Sequence, residues 1–303
     1  MPTFNALLVL EAAAAVAGGQ EYPRSALYVV ATPIGNLADM SLRSLHVLAL
    51  VDAVACEDKR HSAPLLQWFG IDKPLLALHQ HNERAAASEV ITRLARGQRV
   101  AYVSDAGTPA VSDPGARLVD AVRQAGYRCI PLPGASSILA AFSVAGDPLA
   151  QGFVFLGFAP ARGAARTQWL ELLCERPEMQ VLFEAPHRIE ALAKALALGC
   201  GTRTVTVCRE LTKQFESVDS MQAGSLPLWF AADSNRRRGE FVLIVHAFAP
   251  STTEGNAAQD ETMLQVLVEE LPLKQAVGVA ARLSKTPRNT LYETALKLKA
   301  RSG

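Results

Sequence analysis

Short apolar runs alternate with amphipathic stretches through the first half of the chain. That rhythm predicts strands separated by helices. Leu27–Thr32 is β-branched and apolar, which predicts a strand, and it ends in the turn sequence Thr32-Pro33-Ile34-Gly35-Asn36. Ser41–Leu50 has helical spacing, with Ser41 as N-cap. Asp52–Cys56 predicts a second strand and Glu83–Arg96 a helix that stops at Gly97. Arg99–Val103 is a buried strand that opens into the long Gly- and Pro-bearing loop Ser104–Gly115. A helix over Ala116–Gln124 follows, then a strand over Cys129–Leu132 closed by Pro133-Gly134. Strands and helices alternating at this spacing imply βα units and a mostly parallel sheet.

The second half changes style. Phe153–Phe158, Gln180–Phe183, Thr204–Arg209 and Phe241–Ala247 predict strands, with helices around Arg166–Cys174, Ile189–Leu198 and Leu226–Ala232 between them. This predicts a second α/β domain with a more mixed sheet. Pro250–Asp260 is small and polar, which predicts a linker, and Glu261–Leu271, Leu273–Leu283 and Pro287–Lys299 predict three short helices beyond it. The apolar start, Ala6–Gly18, has no basic residue before Arg24, is interrupted by Glu11 and is too short to span a bilayer. The expected organisation is therefore a poorly ordered or amphipathic extension (1–26), two α/β domains (27–133 and 134–249), a linker (250–260) and a C-terminal helical module (261–303).

Composition narrows the function classes. Half of the residues are hydrophobic and 19% are charged, which describes a globular chain with real cores. Thirty basic against twenty-nine acidic side chains leave a net charge of +1, so any nucleic-acid contact must come from a local patch. The five cysteines are odd in number and none has CxxC spacing, which argues against a disulfide framework or a zinc site and favours a reduced, cytoplasmic setting with no metal. The dinucleotide fingerprint is absent: its nearest approach, Gly199–Thr204, precedes a strand instead of following one. No Walker loop is present either.

Two loops carry the first chemical signal. Thr32–Asn36 and Ser104–Gly115 both follow first-half strands, and in an open α/β sheet the carboxyl edge is where ligands bind. Gly and Pro there let backbone groups approach a ligand closely. Asp105 is placed to accept from a hydroxyl pair such as a ribose.

Eight stretches, in order, then resemble one family. They begin at Val30, Cys56, Leu78, Val103, Pro131, Phe183, Arg209 and Asn235. Among them, Val30-Ala-Thr-Pro-Ile-Gly-Asn-Leu-Ala-Asp39, Cys56-Glu-Asp-Lys-Arg-His61, Val103-Ser-Asp-Ala-Gly-Thr-Pro109 and Phe183-Glu-Ala-Pro-His-Arg188 closely resemble motifs of the ribosomal RNA small subunit methyltransferase I family. The resemblance runs from about Leu27 to Ala247 and continues more weakly in the C-terminal helices. It implies a tetrapyrrole-methylase fold, with S-adenosylmethionine in the cleft between two α/β domains. It also implies methylation of a cytidine 2′-hydroxyl in the decoding region of 16S rRNA. Tetrapyrrole-making relatives tend to carry a glycine-richer first loop and a Gly-Gly-Asp-Pro style second loop, so the loops here favour the RNA branch. A tetrapyrrole C-methyltransferase of the same fold and a non-catalytic ribosome assembly factor stand as the rival readings.

The resemblance also implies site residues. The cofactor is expected at Pro33, Ile34 and Gly35, at Ser104, Asp105, Ala106, Gly107 and Thr108, and at Ser136 and Ser137. From the second domain come Glu184, Ala185, Leu211, Phe241 and Val242. Methyl transfer to a hydroxyl needs alignment and a base for the proton. Glu57, Asp58, His79, His81, Glu184 and Glu210 are candidates, with no means in the sequence of choosing among them. Arg60, Arg188, Arg209 and Lys213 could hold phosphates, as could Arg236-Arg237-Arg238. Leu271–Gly303 carries seven Lys or Arg against one Glu and reads as a nucleic-acid module presenting Arg282, Lys285, Arg288, Lys297 and Lys299. A homodimer, acting on 16S rRNA in the small ribosomal subunit and without a membrane association, completes the expectation.

Overall fold

The computed structural model describes residues 4–79, 82–112, 115–249, 254–284 and 286–301. The candidates His81 and Lys285 lie outside the described residues. The chain divides into two compact units, Met1–Ala247 and Phe248–Gly303.

The first unit holds two sheets. Sheet one is built from β1 (Ala26–Val30), β2 (Ala53–Cys56), β3 (Leu75–Ala77), β4 (Val100–Val103) and β5 (Arg128–Leu132), in the order β3-β2-β4-β1-β5. All its pairings are parallel. Helices cover both faces. On one side lie α1 (Ala6–Ala17), α2 (Leu42–Leu50) and α3 (Lys59–Trp68), and on the other α4 (Glu83–Ala95) and α5 (Ala116–Gln124). Alternate residues of one strand therefore enter opposite cores. Tyr28 and Val30 join the α1–α3 side and Leu27 the α4–α5 side. This is why the strands read as unbroken apolar runs instead of alternating ones.

Helix α6 (Ser137–Ala145) leaves β5 and packs on the second sheet through Ile138, Ala141 and Ala145. That sheet comprises β6 (Phe153–Phe158), β7 (Met179–Glu184), β8 (Thr204–Arg209), β9 (Ser217–Gln222) and β10 (Phe241–Val245), ordered β6-β7-β10-β8-β9. It is mixed: β6 and β7 are parallel, whereas β10 runs antiparallel to both β7 and β8. Its other face is covered by α7 (Ala164–Glu175), α8 (Ile189–Cys200) and α9 (Leu226–Ala232), over Leu182, Val207 and Leu243. Each fully buried Leu or Val there contributes about 1.5–3 kcal/mol.

Two segments hold helices that the sequence pattern does not predict. Residues 1–26 were expected to be a poorly ordered or amphipathic extension, but Ala6–Ala17 is a helix. Asn5 caps it by accepting from the Leu7 and Leu8 amides, and its Ala13 is fully buried on the first core. Alanine has the highest helix propensity, and its small side chain lets α1 sit close to α2 without the large apolar stripe that would have announced it. Tyr22 fixes the exit by donating its hydroxyl to the Ala17 carbonyl at 3.0 Å. The expected linker over 250–260 is likewise part helix, because α10 spans Glu254–Glu270. Its Ala, Gln and Glu content suits a helix even though it is poor in apolar residues.

The second unit consists of α10, α11 (Leu273–Leu283) and α12 (Arg288–Arg301). Leu264, Val277, Ala280, Leu291, Ala295 and Leu298 form its core. Arg282, Arg288, Lys297 and Lys299 are exposed, as the helical spacing predicts. Among the described residues no helix is long and apolar enough to cross a membrane.

Candidate functional site

The loops at the carboxyl edge of sheet one are sewn to each other. Thr32 and Gly107 exchange backbone hydrogen bonds of 2.9 and 3.0 Å. The Thr32 hydroxyl donates to the Ser104 carbonyl at 3.2 Å, and the Ser104 hydroxyl donates to the Ala106 and Gly107 carbonyls. Gly107 holds φ +76°, and a Cβ there would press on Ile34. The base of the second loop is fixed by Glu83, which accepts from the Gly115 amide and pairs with Arg117 at 3.1 Å. Gly115 holds φ +123°, and a Cβ on it would land on the ring of the buried Tyr102. Gly115→Ala is therefore expected to destabilise the protein by about 2–4 kcal/mol, from backbone strain and ring displacement together. A urea midpoint within error of wild type would contradict this.

These loops form one wall of a cavity of about 380 Å³. Ile34, Ala106, Gly107, Thr108, Ser136 and Ser137 line it from the first-sheet side and the start of α6. Glu184, Ala185, Leu211, Phe241 and Val242 line it from the second sheet. Non-glycine residues at positive φ cluster on its rim. Ala110 (66°) and Ser112 (64°) flank the lining residue Val111, and Glu210 (53°) and Thr212 (67°) flank the lining residue Leu211. Strain of this kind costs about 1–3 kcal/mol per residue and is characteristic of functional sites.

Four of the residues expected at the cofactor stand outside the lining. Ser104 is 1% exposed and is committed to its own loop. Pro33 does not line the cavity, and Gly35 instead packs under Lys213, whose side chain a Cβ would strike. Asp105 is also outside the lining: its Oδ2 meets His61 Nδ1 at 2.8 Å and its Oδ1 accepts from the Asp58 amide at 3.2 Å.

The proton-acceptor candidates are scattered around this edge. Asp58 caps α3, accepting from the Arg60 amide at 2.8 Å. Hydrogen bonds from the Arg60 side chain, then from its amide, hold the Asp58 carboxyl down at about 2. Glu57 occupies the same turn after β2, and the His79 amide donates to Asn82 Oδ1 at 2.8 Å just after β3. Burial pushes the Glu210 carboxyl up, but the Lys213 ammonium and the Glu240 amide outweigh it and hold the group below its ordinary value. The Glu184 side chain is fully buried, with Arg188 Nε 3.1 Å from Oε1 and Arg166 Nη1 3.8 Å from Oε2. Its Oε2 has no hydrogen-bond partner among the described residues.

The basic candidates are largely engaged with the protein itself. Arg188 donates to the Ala159 and Pro160 carbonyls, and Arg209 to the Phe215 carbonyl at 2.8 Å. Lys213 bridges Glu210 and Glu240. Arg236 lies 4.5 Å from the centre of the Trp229 ring, and Arg237 pairs with Glu190 at 3.2 Å. The Arg238 carbonyl accepts from Arg209 at 3.4 Å. Arg60 pairs with Asp58, though 87% of its side chain is exposed.

Against known proteins, the chain is 45% identical to ribosomal RNA small subunit methyltransferase I of Pseudomonas aeruginosa, covering 91% of this chain and 98% of the relative. It belongs to the ribosomal RNA small subunit methyltransferase I family. A second member, from Escherichia coli O157:H7, is 43% identical over 89% of this chain and 94% of its own. Two family models match: Tetrapyrrole (Corrin/Porphyrin) Methylases over residues 26–227, and RsmI C-terminal HTH domain over residues 254–299. The methyltransferase family thus accounts for both units. Among solved structures, the cobalamin biosynthetic enzyme cobalt precorrin-4 methyltransferase aligns with a TM-score of 0.55 at 18% identity, covering 75% of this chain and 98% of that one. A uroporphyrin-III-C-methyltransferase from Thermus thermophilus gives 0.53 at 20% identity, covering 74% and 94%. These likenesses establish the tetrapyrrole-methylase fold.

Several lining residues of this family member carry no sequence signal of a site. Phe158 and Cys208 read as ordinary strand residues. Only their place near the ends of β6 and β8, at the cavity, gives them a second role. Ser112 lies within the long second loop, Glu240 directly precedes Phe241, and Pro186 directly follows Ala185.

Proposed function

We propose that this protein transfers a methyl group from S-adenosylmethionine to the 2′-hydroxyl of a cytidine in the decoding region of 16S rRNA, with the small ribosomal subunit as its substrate. The observation that carries the reading is the cavity between the two sheets, in a chain whose full-length relatives bear the ribosomal RNA methyltransferase name. The cavity's residues suit such a cofactor. Ile34, Phe158, Phe183 and Val242 offer an apolar wall for an adenine ring. The start of α6, at Ser136–Ile138, lines the cavity with first-turn amides that would suit a carboxylate. Glu184 Oε2, which accepts no hydrogen bond among the described residues, suits an ammonium or an adenine amino group.

When bound, the cofactor supplies a sulfonium methyl group that is already a good electrophile. The chain's contribution is to align the ribose hydroxyl with that methyl group, exclude water and accept a proton. The helical module supports RNA over a tetrapyrrole as substrate, since its exposed Arg282, Arg288, Lys297 and Lys299 suit phosphates and a small tetrapyrrole has no use for them. Mapping ribose methylation on 16S rRNA from a deletion strain, with and without the restored gene, tests the reading. One cytidine should lose its methyl group and regain it, and an unchanged ribose map would refute the proposal.

We further propose a cytoplasmic homodimer. Leu139, Val144 and Leu149, on and just after α6, are at least half exposed and offer apolar surface to a second copy. Light scattering at micromolar concentration should return twice the chain's 32.4 kDa, and a monomer mass throughout would reject the dimer.

A further inference from the structure

The motif from Cys56 to His61 contains an imidazole that neither the sequence nor the cavity singles out. His61 lies in the first turn of α3, with 64% of its side chain exposed. Its Nδ1 sits 2.8 Å from Asp105 Oδ2, on a carboxylate supplied by the loop after β4. The other oxygen of that carboxylate accepts from the Asp58 amide, so Asp105 is fixed from two sides. The next three residues, Ala106, Gly107 and Thr108, line the cavity. An imidazole oriented through Nδ1 by a carboxylate, with most of its side chain exposed, is the arrangement of a general base held by a third group.

We propose that His61 is the base that takes the ribose hydroxyl proton, with Asp105 as its positioning residue; this rests on the RNA methylation reading given above. In this step the ribose oxygen forms the bond to the methyl carbon. The carbon–sulfur bond breaks with its electron pair left on sulfur, and the hydroxyl proton passes to His61 Nε2 and then to water. Three of the four carboxylate candidates serve this step less well. Asp58 is held near 2 by Arg60, Glu210 is held down by Lys213 and the Glu240 amide, and Glu184 is buried against two arginines. Carboxylates held down as Asp58 and Glu210 are have little driving force for proton abstraction, and Glu184 is enclosed by its arginines.

Of the charged groups around the ring, Asp105 and Asp58 favour the imidazolium and Arg60 opposes it. The hydrogen bond to Asp105 is the largest influence, and the imidazole titrates above its ordinary value. The proton-accepting form is therefore lost as pH falls through that raised value and complete above it.

Asp105→Asn makes the sharpest test. The Asp58 amide should keep the Asn carbonyl oxygen facing it, which leaves the Asn amino group donating to Nδ1. The ring proton is then forced onto Nε2, where it blocks proton acceptance. His61→Gln removes the base without disturbing a buried residue. Both variants are expected to lower kcat on small ribosomal subunits by about 10²–10⁴-fold. The KM for subunits and the calorimetric affinity for S-adenosylmethionine should stay within about threefold of wild type. The wild-type rate should rise with pH to a plateau, and both variants should lose that inflection. Imidazole ¹⁵N NMR of the cofactor-free protein gives a readout independent of turnover. At high pH the His61 proton should sit on Nδ1 in wild type and on Nε2 in Asp105→Asn. Wild-type kcat and pH profile in His61→Gln, or a wild-type tautomer protonated on Nε2, would overturn this assignment alone. A wild-type protein that puts no methyl group on ribose would overturn the underlying reading as well. Asp105→Asn that loses cofactor affinity but turns over normally at saturation would return Asp105 to the cofactor.

Discussion

Replacing Glu184 by alanine should destabilise the protein by about 2–4 kcal/mol and weaken its binding of S-adenosylmethionine at the same time. The carboxylate has no exposed side-chain surface and stands between Arg166 and Arg188, whose side chains are 15% and 23% exposed. Both arginines also donate to the Pro160 carbonyl, so the trio ties the end of β6 to the end of β7. Removing the acid leaves two guanidinium groups with only neutral acceptors. Breaking a fully buried pair costs about 3–5 kcal/mol, and the arginines' residual exposure to solvent lowers that figure here. Glu184→Gln should fall between, because an amide oxygen can still accept from the Ala185 amide, now 2.9 Å from Oε1. Urea unfolding and calorimetry measure the two effects. A loss below about 1 kcal/mol with unchanged cofactor affinity would show that the site does not depend on this carboxylate.

Truncation after Pro250 should leave cofactor binding intact and reduce affinity for small ribosomal subunits by roughly tenfold to a hundredfold at low salt. All cavity-lining residues lie between Ile34 and Val242, inside the first unit. The second unit has its own core and presents Arg282, Arg288, Lys297 and Lys299 to solvent. Every phosphate that the protein no longer neutralises should flatten the dependence of log affinity on log salt by about one unit of slope. Substituting the four exposed cations by Gln should reproduce the weaker binding without removing the fold. Methylation of subunits by the truncated protein at the full-length rate would reduce the module to a structural appendage.

The strands of the first sheet were legible because burial on both faces writes them as continuous apolar runs, and the loops after β1 and β4 were legible from their Gly and Pro residues. The N-terminal helix was not, because it packs through alanines whose hydrophobicity has no sided pattern. Helix α3 was hidden by its polar opening Lys59-Arg60-His61-Ser62 and by Pro64. Strand β9 was hidden by its sequence Ser-Val-Asp-Ser-Met-Gln, an edge strand paired with β8, with exposed positions alternating along it. At the site, Glu184, Leu211 and Phe241 came from family resemblance, since the sequence has no local sign of which strand ends face a cleft. His61 carries no local sign for a related reason. Its partner Asp105 is 44 residues away, and only the adjacency of β2 and β4 brings the two together.

The cavity walls come from both sheets, and this gives any molecule held there a second effect. Such a ligand touches both halves, so its binding free energy is also cohesion between them. At a concentration one hundred times its dissociation constant, a ligand of that kind adds about 2.7 kcal/mol to the work of unfolding. Proteolytic lifetime would then track the supply of methyl donor, and a cell short of it would hold an enzyme both idle and more easily degraded.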